Sequence, residues 1–153
     1  MIFSGLNRQT DDLDFVGTQE ALFAFYNAAS RDKRFRSDES VVWFFDVAVD
    51  GESFTVPMEF LLEGMDVDRV MSPEPFEGGF KASLLDLAIQ KARAYQGRGS
   101  HKDINDFEAI ILTMAARAEN FARLALEYSV REALQEAAID AGARTRTALN
   151  EML

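Results

Sequence analysis

The fold is decided by residues 41–62, VVWFFDVAVDGESFTVPMEFLL. Residues 41–49 and 53–62 are rich in β-branched and aromatic side chains, and the Asp50-Gly51 pair between them is a two-residue hairpin signal. This segment therefore predicts two antiparallel strands. A two-residue turn pairs Val49 with Glu52, and this pair sets the register of the whole hairpin. On one face, which we expect to be core, the predicted pairs are Val41 with Phe60, Trp43 with Met58 and Phe45 with Val56.

The other face of the predicted hairpin carries two carboxylates, Asp46 and Glu59. In this register Glu59 faces Val42, which lies four residues from Asp46 along the same strand. At about 3.3 Å per residue, the two acidic residues are separated by roughly 13 Å of backbone. We therefore expect Asp46 and Glu59 not to act together.

The residues around the hairpin predict further strands and a helix. Residues 13–16 form a short apolar run typical of a buried strand. Residues 18–30 then show the apolar spacing of a helix, with Thr18 as its N-cap. Residues 67–71 predict an additional edge strand before two prolines.

The pattern changes from strands to helices near Gly78-Gly79. Apolar spacing and capping signals predict four helices after this point, the last of which loosens near Gly142. The first helix has Ser83 as its N-cap and runs to about Tyr95. Apolar spacing defines the second helix by Ile104, Phe107, Ile111 and Met114, and the third by Phe121, Leu124, Ala125 and Tyr128. The fourth begins at the Ser129–Glu132 capping box.

These elements predict an α+β fold, in which a small mixed β-sheet is flanked by helices and followed by a C-terminal helical segment. Residues 1–76 would form the sheet-rich part, and residues 77–153 would form the helical part. The chain has 153 residues and 48% apolar residues, which is sufficient for one hydrophobic core. We therefore expect both parts to pack on the same core, as a single domain overall.

The composition excludes several classes of protein. The chain has no Cys, so a metal would be held by oxygen ligands or by the single His, and this donor set favours a hard cation such as magnesium. The first residues show no signal peptide, and the longest apolar run ends at Asp46, so we expect a cytoplasmic protein with no membrane partner. A formal net charge of −10 predicts no general DNA binding.

One dense basic cluster is the local exception to this acidic character. It has two interpretations: a solvated loop between two elements, or a surface that meets a triphosphate or an RNA end. The cluster consists of Arg31, Lys33, Arg34 and Arg36.

The acidic segment RQTDDLDFV, residues 8–16, provides the first part of a candidate metal site. Asp12 and Asp14 are two apart at the start of a strand, so both side chains point to one face and their oxygens can converge on one cation. Glu59 lies between apolar residues on the hairpin and is the expected third carboxylate. Such a set would hold one or two magnesium ions for phosphoryl-group transfer, with Glu59 as a ligand or as the base. Loop capping by Asp12 and Asp14 is the structural alternative.

Lys91 is the unusual residue of the first predicted helix, because it lies within an apolar stripe. Its ammonium either needs a partner or reaches the edge of the stripe. Asp103 on the next helix is the candidate partner, and such a pair would serve the structure alone. Contact with a triphosphate is the functional alternative.

Three segments together resemble the minimal branch of the nucleotidyltransferase superfamily, especially the abortive-infection, AbiEii-like toxins. They are RQTDDLDFV, VPMEFL and LLDLAIQKARAYQGRGSHKDINDFEAII, and the resemblance covers about residues 8–112. It implies a mixed sheet flanked by helices and a reaction that moves a nucleotidyl group from a nucleoside triphosphate to a hydroxyl acceptor. That acceptor would be a protein, an RNA or a small molecule.

The resemblance also implies roles for individual residues. Asp12 and Asp14 match the paired metal aspartates of the family, and Glu59 resembles its third acidic position. The toxin-like branch binds its nucleotide with a helical lysine, a later basic-acidic pair and a following acid. The residues of this sequence that resemble these positions are Lys91, Lys102, Asp103 and Asp106.

The sequence departs from the family pattern before the metal aspartates. The family places a Gly-Gly or Gly-Ser turn at a helix N-terminus about ten or more residues earlier, where backbone N–H groups hold phosphate. Only eleven residues precede Asp12, and Ser4-Gly5 lies too close to it to leave a helix or hairpin before the strand. We therefore expect a chain truncated at its front or a degenerate member of the family. Three hypotheses remain: a magnesium-dependent nucleotidyltransferase, a catalytically degenerate binding or regulatory module, and a structural protein whose helix at residues 130–141 packs on a partner.

Overall fold

The computed structural model describes residues 12–38, 42–68, 70–76, 79–122 and 124–153. Within these residues the chain is mixed α+β, with five helices, a four-stranded mixed sheet and a small two-stranded sheet. The predicted α+β class is confirmed. The chain divides into two compact units, a sheet unit ending at Arg69 and a mainly helical unit beginning at Val70. The expected packing of both parts on one core stays a prediction.

The elements follow the chain in a simple order, with strands first and helices last. They are β1 (Leu13–Gly17), α1 (Gln19–Ala29), β2 (Phe35–Ser37), β3 (Trp43–Val49), β4 (Glu52–Leu62), β5 (Glu74–Phe76), β6 (Gly79–Lys81), α2 (Leu84–Arg98), α3 (His101–Ala116), α4 (Tyr128–Ala141) and α5 (Ala143–Met152). In the part of the chain that the structure describes, no helix has the length and apolar character needed to cross a bilayer.

The sheet unit is built around the predicted hairpin. Its strand order is β1-β4-β3-β2, with β1 parallel to β4 and the other neighbours antiparallel. Asp50 and Gly51 both have positive φ angles, 53° and 83°, as a two-residue hairpin turn that matches strand twist requires. The predicted pairs of Val49 with Glu52, Trp43 with Met58 and Phe45 with Val56 are confirmed, while Val41 lies outside the described residues.

Aromatic side chains hold α1 on one face of this sheet. The centre of the Phe25 ring of α1 lies 4.3 Å from the ring centre of Phe60 and 5.5 Å from that of Trp43. Tyr26 stacks on Trp43 with 5.4 Å between the ring centres. Met58 on the same face is buried. Thr18 caps the helix as predicted, because its hydroxyl accepts a hydrogen bond from the N–H of Ala21. The face that the hairpin pattern assigns to the core is thus the face that α1 packs against.

The helical unit has a well-buried core formed by α2, α3, α4 and α5. Its fully buried large side chains are Phe107, Ile110, Ile111, Met114, Phe121, Leu134 and Leu149. Ser83 is the N-cap of α2 as predicted, and it forms a capping box with the buried Asp86. The apolar stripe of α4, the helix that the third hypothesis packs on a partner, is buried within this unit.

Two predictions in the helical half are wrong. The described residues between Phe121 and Glu127 are not helical, although their apolar spacing imitates a helix. Phe121 and Leu126 are buried in the core of the helical unit, and the Phe121 N–H donates to the carbonyl of Met152 instead of to a helical neighbour. Ser129 is not an N-cap, because α4 already begins at Tyr128, and the Ser129 hydroxyl accepts a hydrogen bond from Arg93.

The edge strand predicted at residues 67–71 is also wrong for the residues described. Val67 makes an isolated parallel bridge to Glu63, and the described residues 68, 70 and 71 are not in a strand. The loop from Leu62 to Val67 is instead closed by its own hydrogen bonds, including one from the Leu62 N–H to the Asp66 carboxylate. The fourth helix ends at Ala141, next to Gly142, where the sequence predicts that it loosens, but after Gly142, with a φ of 115°, the chain forms a further helix, α5.

Candidate functional site

The parallel pairing of β1 with β4 sets Asp14 directly opposite Glu59. The neighbouring pair, Phe15 and Phe60, stacks at 5.1 Å on the aromatic face of the sheet. Because side chains alternate between faces, Asp14 and Glu59 project from the opposite face. Neighbouring strands are about 4.8 Å apart, so the two carboxylates start within one side chain's reach of each other. The structure thus brings together two of the three predicted metal ligands.

Asp12 is the third predicted ligand, and it lies directly before β1. Asp12, Asp14 and Glu59 are all exposed side chains. In residues 12–38, 42–68, 70–76, 79–122 and 124–153, no group of three or more His, Asp or Glu side chains is arranged to hold a metal ion. The membership of Asp12 in a shared site therefore stays a prediction, and Asp14 with Glu59 is the pair that the strand register supports.

Asp46 lies apart from this pair, as the hairpin register predicts. It is opposite Thr55 on β4, whereas Glu59 is four residues further along that strand. The Asp46 carboxylate accepts hydrogen bonds from the Thr55 hydroxyl at 2.6 Å and from the Arg36 guanidinium at 3.1 Å. Both bonds lower the pKa of Asp46, and the bond from Thr55 has the larger effect. Asp46 is therefore part of a separate polar cluster on β2, β3 and β4.

Two members of the basic cluster have acidic partners. Arg34 pairs with Asp32 at 2.6 Å, and its hydrogen bonds lower the pKa of Asp32 to about 2. Arg36 pairs with Asp46, and its guanidinium carbon lies 5.2 Å from the centre of the Phe44 ring. The Arg34 side chain is mostly solvated, with 65% of its surface exposed. The use of this cluster for a triphosphate or an RNA end stays a hypothesis.

Lys91 has the partner that its position in an apolar stripe requires. Its Nζ lies 3.0 Å from an oxygen of Asp106 and 3.6 Å from an oxygen of Asp103. The Asp103 side chain is fully buried, and 7% of the Asp106 side chain is exposed. The predicted pair of Lys91 with Asp103 is therefore confirmed, and Asp106 joins it.

Arg98 also pairs with Asp103, and the sequence did not predict this contact. Its Nε and Nη2 atoms donate to the two oxygens of Asp103 at 2.6 and 2.7 Å, which is a bidentate ion pair. These bonds lower the pKa of Asp103, while its burial acts in the opposite direction. Gly99, with a φ of 63°, ends α2 and lets the chain turn so that Arg98 meets Asp103 five residues later. We call Lys91, Arg98, Asp103 and Asp106 the α2–α3 ion cluster.

The ion pairs that define the α2–α3 ion cluster do not involve Lys102. Its side chain is exposed in the first turn of α3, and its backbone N–H donates to the hydroxyl of Ser100, the N-cap. Of the four residues that the resemblance assigns to nucleotide binding, the structure brings together Lys91, Asp103 and Asp106. Their contacts join α2 to α3, and a role in nucleotide binding stays a prediction.

No protein-family model, curated protein or solved structure matches this chain. The resemblance to nucleotidyltransferases therefore rests on the sequence segments themselves and stays a prediction. The two groups of candidate residues lie in different units, with Asp14 and Glu59 in the sheet unit and the α2–α3 ion cluster in the helical unit. Chemically, the first group offers oxygen ligands to a cation, and the second offers a set of matched charges.

Proposed function

We propose that this protein binds a nucleoside triphosphate as its magnesium complex at Asp14 and Glu59, as a nucleotidyltransferase-like protein. The observation that carries the proposal is the parallel register, which sets these two carboxylates side by side on neighbouring strands. Magnesium commonly takes one or two protein carboxylates and completes its coordination with water and substrate phosphates. A pair of carboxylates is therefore a sufficient protein contribution to such a site.

The charge of the protein favours a cation-bound nucleotide over a free one. The formal net charge of −10 repels an uncomplexed triphosphate. Both proposed ligands are acidic and exposed, so they offer a site for a cation and none for a bare phosphate. We therefore expect the nucleotide to bind only when a divalent cation is present.

The proposed reaction is the transfer of a nucleotidyl group to a hydroxyl acceptor, a protein, an RNA or a small molecule. The acceptor oxygen would form a bond to the α-phosphorus, and the bond to pyrophosphate would break. Asp14 would hold the cation, and Glu59 would either share it or take the proton of the hydroxyl. A bound magnesium ion would neutralise phosphate charge and lower the pKa of the acceptor hydroxyl.

A binding or regulatory module without turnover is the second candidate function. The α2–α3 ion cluster favours it, because the lysine that the resemblance assigns to the nucleotide lies 3.0 Å from Asp106 and 3.6 Å from Asp103. A lysine held between two buried carboxylates contributes to the packing of two helices. A fold can also be retained after its chemistry is lost.

Calorimetric titration with ATP, GTP, CTP and UTP in magnesium buffer tests the shared step of both candidates. We expect at least one nucleotide to bind the wild-type protein and to lose its signal in Asp14→Asn and in Glu59→Gln. Glu52→Gln is the matched control, because Glu52 is an exposed acid on the same strand. It lies seven residues from Glu59, roughly 23 Å along β4 at about 3.3 Å per residue, and on the opposite face. The absence of any signal with all four nucleotides would refute the proposal.

Incubation with labelled triphosphates separates the two candidates. The protein itself, total RNA and a panel of small alcohols serve as acceptors. Label transfer by the wild type and Glu52→Gln, with none by Asp14→Asn, supports nucleotidyl transfer. Nucleotide binding in the calorimeter with no label on any of these acceptors supports the binding module.

A further inference from the structure

We draw no further inference here: the strongest candidate, the side-chain cluster between α2 and α3 in which Lys91 and Arg98 pair with the buried Asp103 and Asp106, matches its charges within itself, and nothing among the described residues points to a ligand there.

Discussion

Replacement of Lys91 by Met asks whether this lysine serves the structure or a nucleotide. Met has nearly the same length and helix propensity, so the change removes the ammonium and little else. Removing one partner of a fully buried ion pair costs about 3–5 kcal/mol. The Lys91 side chain is 26% exposed, and Asp103 keeps its bidentate bonds to Arg98. We therefore expect a smaller loss of about 2–3 kcal/mol in the free energy of unfolding, because partial exposure weakens the pair.

Urea and thermal unfolding at neutral pH, followed by circular dichroism, measure this loss. For a chain of this size, about 2–3 kcal/mol corresponds to a fall in Tm of roughly 4–12 °C. Lys102→Met is the matched control, since Lys102 is exposed on the neighbouring helix, and it should stay within about 0.5 kcal/mol of the wild type. Equal stability of Lys91→Met and Lys102→Met would refute the structural role. If Lys91→Met kept the stability of the wild type but lost nucleotide binding, Lys91 would be a nucleotide-binding residue.

Two further predictions concern the helical unit. Ser83→Ala removes the hydroxyl that caps α2 and donates to the buried Asp86 at 2.7 Å. It should therefore lower the free energy of unfolding in urea by about 1–2 kcal/mol. A loss below about 0.3 kcal/mol would contradict the capping role. The lowered pKa of Asp103 means that its ion pairs contribute stability above its unfolded pKa of about 4 and lose it as the pH falls through the lower folded pKa. Unfolding measured from pH 7 down to pH 3 should therefore show a weaker acid dependence in Asp103→Asn than in the wild type, and identical profiles would count against this role.

Local signals explain why much of the fold could be predicted from the sequence. The Asp50-Gly51 turn requires two positive φ angles, and once it is placed, the alternation of side chains determines the register of β3 and β4. The Thr18 and Ser83 caps are likewise local, because each hydroxyl bonds to a backbone N–H three residues later. Such features depend on neighbours in the chain and are visible without the tertiary structure.

Features that depend on distant residues were less visible. The parallel register of Asp14 with Glu59 joins segments 45 residues apart, and it accompanies the stacking of Phe15 on Phe60. The predicted third helix failed for the same reason, since the burial of Phe121 and its bond to the chain at Met152 replace helical neighbours.

Arg98 was missed although it lies close to Asp103 in the sequence. Five residues separate them, and the helical spacing rules of three and four residues do not apply across a turn. The left-handed conformation of Gly99 is what brings the guanidinium back to the start of α3. A glycine directly after a terminal arginine, followed by a serine cap and an aspartate, is the signal that would have predicted this ion pair.

Titration of the isotope-labelled protein with Mn²⁺, followed by amide NMR, tests the proposed cation site most directly. Paramagnetic broadening should appear first at the amides of β1 and of residues 57–61 on β4, while those of the Asp50-Gly51 turn stay sharp. The effect should be lost in Glu59→Gln and kept in Glu52→Gln. Broadening centred elsewhere, or unchanged in Glu59→Gln, would contradict a cation held between Asp14 and Glu59.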